Sequence, residues 1–118
     1  MSPGRRTAPP LINITESSTF MTTNDEEFTH IVMVDIAPEH ERAFNKWYVQ
    51  KHFPDLLSCP GWLSASRYIN LGEGPKYVAM YSVAGQWAFE TEDFIKAKGF
   101  GPFTDHVRNF KRFQLKPI

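Results

Sequence analysis

Between Phe28 and Ile36 nearly every position is apolar or β-branched (Phe28-Thr29-His30-Ile31-Val32-Met33-Val34-Asp35-Ile36), which predicts a first strand. Ala37-Pro38-Glu39 then reads as a helix start. Proline suits the first helical position, and Glu39 and Glu41 complement the positive helix end. Phe44, Trp47, Tyr48 and Lys51 follow at helical spacing, giving one buried stripe with a snorkelling lysine and a helix that runs to about His52. Pro54 interrupts it, Asp55 to Ser58 adds a turn, and Cys59-Pro60-Gly61 is a stop signal. Trp62 to Leu71 alternates and predicts a second strand. Gly72-Glu73-Gly74-Pro75 is a turn, and Lys76 to Val83 returns as the third strand of a hairpin. Gly85 to Lys98 has helical character, with Trp87, Phe94 and Ile95 as anchors. Gly99-Phe100-Gly101-Pro102 breaks the chain, Phe103 to His106 forms a short helical turn, and Val107 to Leu115 is the last strand.

The order β-α-β-β-α-β predicts an α+β, ferredoxin-like domain with a four-stranded antiparallel sheet. Two helices cover one sheet face and leave the other open. A single core of about 90 residues is marginal, so the open face is expected to pair with a second copy in a homodimeric α+β barrel. A cavity against that open face is then the default ligand site.

Composition sharpens this picture at a few points. The 118 residues hold 13 Lys plus Arg against 13 Asp plus Glu, so no global field draws in nucleic acid or an anionic membrane. The Lys/Arg run from Arg108 to Lys116, interleaved with Phe110 and Phe113, lacks an RNP-type motif and is not read as a nucleic-acid strand. Aromatic residues reach 14%, more than one small core needs, which points to an aromatic-lined pocket or an interface. Residues 1–26 are rich in Ser, Thr and Pro and read as a flexible arm preceding a domain over 27–118. Leu11, Ile12, Ile14, Phe20 and Met21 give the arm something to bury, and Asn13-Ile14-Thr15 matches a glycosylation sequon. No hydrophobic region follows Arg5 and Arg6, so a cytoplasmic location is expected, and no stretch is long and apolar enough for a membrane helix.

The densest polar cluster runs from Asn45 to Asp55. Asn45, Tyr48 or Val49, and His52 lie along one side of a helix. His52 suits proton transfer near neutral pH, and Asp55 could orient it, although a helix N-cap is the rival role for Asp55. Arg67 and Tyr68 are consecutive in a strand, so at most one faces an open-face cavity. Arg67 there would bind a carboxylate or developing enolate, and Tyr68 would donate to a carbonyl. Tyr77 and Tyr81 share a face, either as pocket phenols or as a ladder in a core. Asp35 shares a face with Ile31 and Met33. On an apolar surface it would be a base with a raised pKa, and at a strand end a solvated carboxylate. His30, His40 and His106 form no ligand pattern, there is no CxxC or HxxxH, and no metal or organic cofactor is expected. Cys59 has no base nearby in sequence and reads as a buried, inert thiol.

The run Asn45-Lys46-Trp47-Tyr48-Val49-Gln50-Lys51-His52-Phe53-Pro54-Asp55-Leu56-Leu57-Ser58-Cys59-Pro60-Gly61-Trp62, followed by Arg67-Tyr68 and by Pro75 to Tyr81, resembles the dimeric α+β barrel superfamily, and within it the EthD-like group. The resemblance covers about residues 27 to 117. It implies relatives among cofactor-free polyketide cyclases, muconolactone isomerases, pigment-pathway dehydratases, quinone-forming monooxygenases and haem-degrading enzymes. It also implies a site using the helix histidine, here His52, with strand tyrosines. The expected function is therefore cofactor-free acid/base catalysis (an isomerase, cyclase, dehydratase or lyase) on an apolar oxygenated lactone, polyketide or aromatic. Catalytic candidates are His52, Asp55, Tyr68 and Arg67. Substrate-binding candidates are Asn45, Trp47, Tyr48, Tyr77, Tyr81 and Asp35. The alternatives are a cofactor-free monooxygenase on a phenol and a non-catalytic ligand-binding dimer, with haem handling a weaker fourth reading.

Overall fold

The computed structural model describes residues 26–118. The arm expected over residues 1–26, with its sequon and apolar positions, lies outside the described residues except for Glu26. Strands β1 (Phe28–Ile36), β2 (Trp62–Ile69), β3 (Tyr77–Val83) and β4 (Val107–Leu115) form one antiparallel sheet in the order β2-β3-β1-β4. This is the ferredoxin-like arrangement that the element order predicts.

Strand alternation sorts side chains cleanly between the two faces. Phe28, His30, Val34 and Ile36 of β1, and Tyr77, Ala79, Tyr81 and Val83 of β3, are buried beneath the helices. Ile31, Met33, Val78 and Met80 occupy the opposite face. The core therefore lies between the helices and one sheet face. Phe44, Tyr48, Leu56, Trp62, Tyr81 and Val83 are its most buried large side chains.

The first helical segment runs without a break from α1 (Glu41–Trp47), through a π-helical turn (Tyr48–His52), into α2 (Phe53–Leu57). Pro54 does not end it, because proline is tolerated in the first turn of α2. The buried stripe is Phe44, Tyr48, His52 and Leu56, spaced by four, and Lys51 is exposed rather than part of it. In a regular α-helix a step of four overshoots a full turn by about 40°, so three such steps would carry the stripe about 120° off the core. The wider π turn takes up that drift and returns His52 to the core side.

The second helical region departs from expectation. Gly85 to Lys98 is not one helix but a 3₁₀ turn (Gln86–Phe89) and a short α3 (Glu92–Ala97). Thr91 separates them: its backbone is extended and its Oγ1 accepts from the Phe94 amide at 3.1 Å, so it caps α3. Of the expected anchors, Phe94 packs on the core, while Trp87 and Ile95 are largely exposed and Ala88 and Phe89 pack in their place. Gly61 lets this region approach. A Cβ there would sit 2.6 Å from the Ala88 Cβ, and its φ of +88° also favours glycine.

A bulge sets the last strand. Asn109 and Phe110 are the extra stretch opposite the β1 segment between Met33 and Asp35, and Asn109 adopts φ +56°, a conformation asparagine tolerates. Asp35 pins it: one carboxylate oxygen accepts from the Asn109 side chain and the other from the Lys76 amide, both at 2.8 Å. The bulge turns Phe110 toward Phe100, at 5.9 Å between ring centroids.

Candidate functional site

A cavity of about 340 Å³ lies between the helices and the covered face of the sheet. The expected position against the open face is thereby corrected. The large inward side chains of β1 and β3 do not fill the space beneath the π turn, which leaves a void on the helix side. Its floor is buried: His30, Tyr48, His52, Leu56, Trp62 and Tyr81. Its walls are aromatic, from Phe89, Phe94 and Phe100. Its rim carries the exposed Lys98, Gly99, Phe110 and Arg112.

His52 enters the cavity from the π turn. Its ring stacks on Trp47 at 4.5 Å and meets Tyr48 edge-on at 4.9 Å. Burial is the main reason its pKa falls to about 4. Asp55 pulls the other way and Arg67 adds to the depression. His30 reaches the same cavity from β1, with Tyr81, Trp62 and Phe89 around it at 5.8, 5.8 and 5.1 Å. Burial, reinforced by Arg112, holds it at about 4 as well. Its Nδ1 is buried without a hydrogen-bond partner among the described residues. Both imidazoles are therefore neutral at pH 7, able to accept a proton or to donate a hydrogen bond. Tyr48 and Tyr81 both line the cavity, and burial raises the pKa of both, so they remain phenols.

The structure divides the sequence candidates into three groups. His52, Tyr48 and Tyr81 line the cavity, and Trp47 backs His52 without lining it. Asn45, Arg67 and Tyr77 form a separate network on the same sheet face. Arg67 Nη1 donates to Asn45 Oδ1 at 2.9 Å, Asn45 Nδ2 donates to the Tyr77 hydroxyl at 3.2 Å, and Tyr77 donates to Glu41, which also pairs with Lys76. The Arg67 guanidinium is caged by the rings of Tyr48, Tyr77 and Phe44 at 4.3, 5.0 and 5.6 Å.

The third group lies away from both. Asp55 pairs with Lys51 at 2.9 Å on the exposed side of the helix and does not hydrogen-bond His52. Tyr68 is on the open face, half exposed, accepting from Ser66 at 3.2 Å. Asp35 is the carboxylate that pins the β4 bulge. Hydrogen bonds from Asn109 and Lys76 lower its pKa, the reverse of the shift a buried base requires.

His30 was missed as a site residue. Its signal is in the sequence: it shares strand parity with Phe28, Val32, Val34 and Ile36, which places it on their face. Among the described residues no group of three or more His, Cys, Asp or Glu side chains could hold a metal ion, and no helix is long and apolar enough to cross a membrane. Cys59 is buried, with burial raising its thiol pKa.

No protein-family model matches the chain, and no curated protein matches it. Solved structures do. A DABB family protein with a ferredoxin-like fold from Mesorhizobium loti superposes with a TM-score of 0.63 at 12% identity, over 78% of this chain and 97% of that one. An EthD family protein from Bacillus halodurans gives 0.58 at 13% identity, over 77% and 99%. SnoaB, a cofactor-independent oxygenase from Streptomyces nogalater, gives 0.61 at 11% identity, over 78% and 93%. The chain has the ferredoxin-like fold.

Proposed function

We propose that the cavity is the active site of a cofactor-free enzyme that moves a proton on a small, largely apolar, oxygenated molecule. One observation carries this reading: two buried imidazole side chains and two buried tyrosines line a single void with aromatic walls. The volume suits a one- or two-ring skeleton, at the small end of ordinary ligand pockets.

In this reading His52 takes a proton from a carbon next to a carbonyl, or from a phenol. Neutral imidazole is the form that such a base requires, and it is the form that burial favours here. The imidazolium then formed is stabilised by the enolate or phenolate beside it, so the charge pair arises only as the reaction proceeds. A hydroxyl of the Tyr48–Tyr81 pair donates to the developing oxyanion. His52 later returns the proton at another position, giving isomerisation, cyclisation or loss of a leaving group.

A second reading follows from the fold shared with a cofactor-independent oxygenase. The same deprotonation would prepare an electron-rich phenolate that itself reduces oxygen. Two measurements on enolisable diketones and phenols decide between outcomes. Deuterium uptake from D₂O at the acidic carbon should be fast with the wild type and lost in His52→Gln, while oxygen consumption marks the second reading. An equal exchange rate in both proteins would contradict catalysis by His52, and ligand retention without any conversion would leave a binding role.

The reading includes a homodimer. Ile31, Met33, Val78 and Met80, with the partly exposed Phe113 and Tyr68, make the uncovered sheet face largely apolar. Sedimentation should give twice the chain mass of 13.6 kDa, and a monomer at micromolar concentration would contradict it.

A further inference from the structure

The proposed reaction leaves two cavity groups without a role, Lys98 and Arg112. Both line the rim, and neither is in a salt bridge among the described residues. Among the described residues no carboxylate lines the cavity. In a chain of 13 cationic and 13 anionic side chains, this is a local excess of one sign and not overflow from a basic protein. Arg112 pairs with Val32 across β1 and β4, two residues from His30 on the same face, and its charge is close enough to disfavour protonation of His30. The two cations are exposed at the rim, and His52, Tyr48 and Tyr81 lie at the buried end of the cavity.

We infer that the cavity selects a carboxylate-bearing aromatic molecule, its carboxylate held by Arg112 and Lys98 at the rim and its ring between Trp62, Phe89, Phe94 and Phe100. This inference rests on the proposed use of the cavity as the substrate site. Arg112 presents a planar fork that matches two carboxylate oxygens, and Lys98 supplies a second, point-like charge. The apolar ring gains by leaving water for the aromatic walls. A neutral isostere would keep the ring contacts and lose the charge recognition. With the anion fixed at the rim, the far end of the ring system is left beside His52, so the carboxylate orients the molecule and is not itself the reacting group.

The test compares 2-naphthoate with 2-naphthamide, which have nearly the same shape, by titration calorimetry on the full chain. The wild type should bind naphthoate at least about ten-fold more tightly, the equivalent of about 1.4 kcal/mol. Arg112→Gln with Lys98→Gln should remove that preference while leaving naphthamide affinity within about two-fold, since both side chains are exposed and their loss should not disturb the core. Equal binding of the two compounds to the wild type would overturn anion selection and leave the cavity reading standing. So would a preference that survives in the double variant. Binding of neither compound would overturn both.

Discussion

Two polar neighbourhoods lie under the same helical segment, and they differ in what surrounds their unpaired atoms. Toward the start of that segment, Glu41, Asn45, Arg67, Tyr77 and Lys76 hydrogen-bond one another in a chain, and aromatic rings cover the Arg67 guanidinium, whose Nε and Nη2 find no hydrogen-bond partner among the described residues. The His52 cavity does not extend to it. Toward its end, His30, His52, Tyr48 and Tyr81 surround a void, and His30 Nδ1 has no hydrogen-bond partner among the described residues. The first neighbourhood fastens the helix to β2 and β3. The second sets its polar side chains around a void that something can enter. Aromatic faces offset the cost of the buried Arg67 guanidinium, whereas polar side chains around a void point to a ligand.

Substitutions can break or sharpen this contrast. The largest effect is expected at His52. His52→Gln should lower kcat/KM by about 10²- to 10⁴-fold, the usual range for one proton-transfer group. Its melting temperature should stay within a few degrees of wild type, and a collapse in stability would make His52 structural instead.

Next is Arg67→Ala, which should cost about 2–4 kcal/mol of stability in urea unfolding. It removes a guanidinium packed on three rings and leaves Asn45 Oδ1 without its donor. Arg67→Lys should recover little of this, because an ammonium cannot stack flat on the rings. A folded Arg67→Ala protein with no catalysis would merge the two neighbourhoods into one site.

Acid should weaken the second neighbourhood in particular. His30 and His52 have native pKa values of about 4 against about 6.5 unfolded, so the unfolded chain binds more protons between those values. Stability should therefore be full above pH 6.5 and fall as pH drops toward 4, by up to about 3 kcal/mol per histidine. Urea midpoints across that range would show it, and His30→Gln should flatten the slope. The smallest effect is expected at Asp55. Asp55→Asn removes one exposed ion pair and should change stability by less than about 0.5 kcal/mol. A large loss of turnover in Asp55→Asn would restore it as the orienter of His52.

The fold was legible because alternation in β1 and β3 and the turn signals at Cys59-Pro60-Gly61 and Gly72 to Pro75 act locally. His52, Tyr48 and Tyr81 were legible for the same reason. Three things were not. The π turn is invisible to a 3.6-residue period, so Lys51 was placed on the buried stripe and His52 was not. The bulge at Asn109 depends on pairing across 74 residues with Asp35, which sequence spacing does not reveal. The side of the sheet that holds the cavity is decided by how helices and side chains fill space together, a property of packing and not of any one segment.

The central claim is that small molecules enter the His52 cavity. The three tryptophans report on it separately: Trp62 lines the cavity, Trp47 backs His52, and Trp87 is exposed outside. We would therefore follow imidazole and indole nitrogen resonances by NMR during titration with 2-naphthol. Saturable shifts at His30, His52 and Trp62, with Trp87 unmoved, are the predicted result. Static histidine and Trp62 signals, or shifts confined to Trp87, would contradict the account.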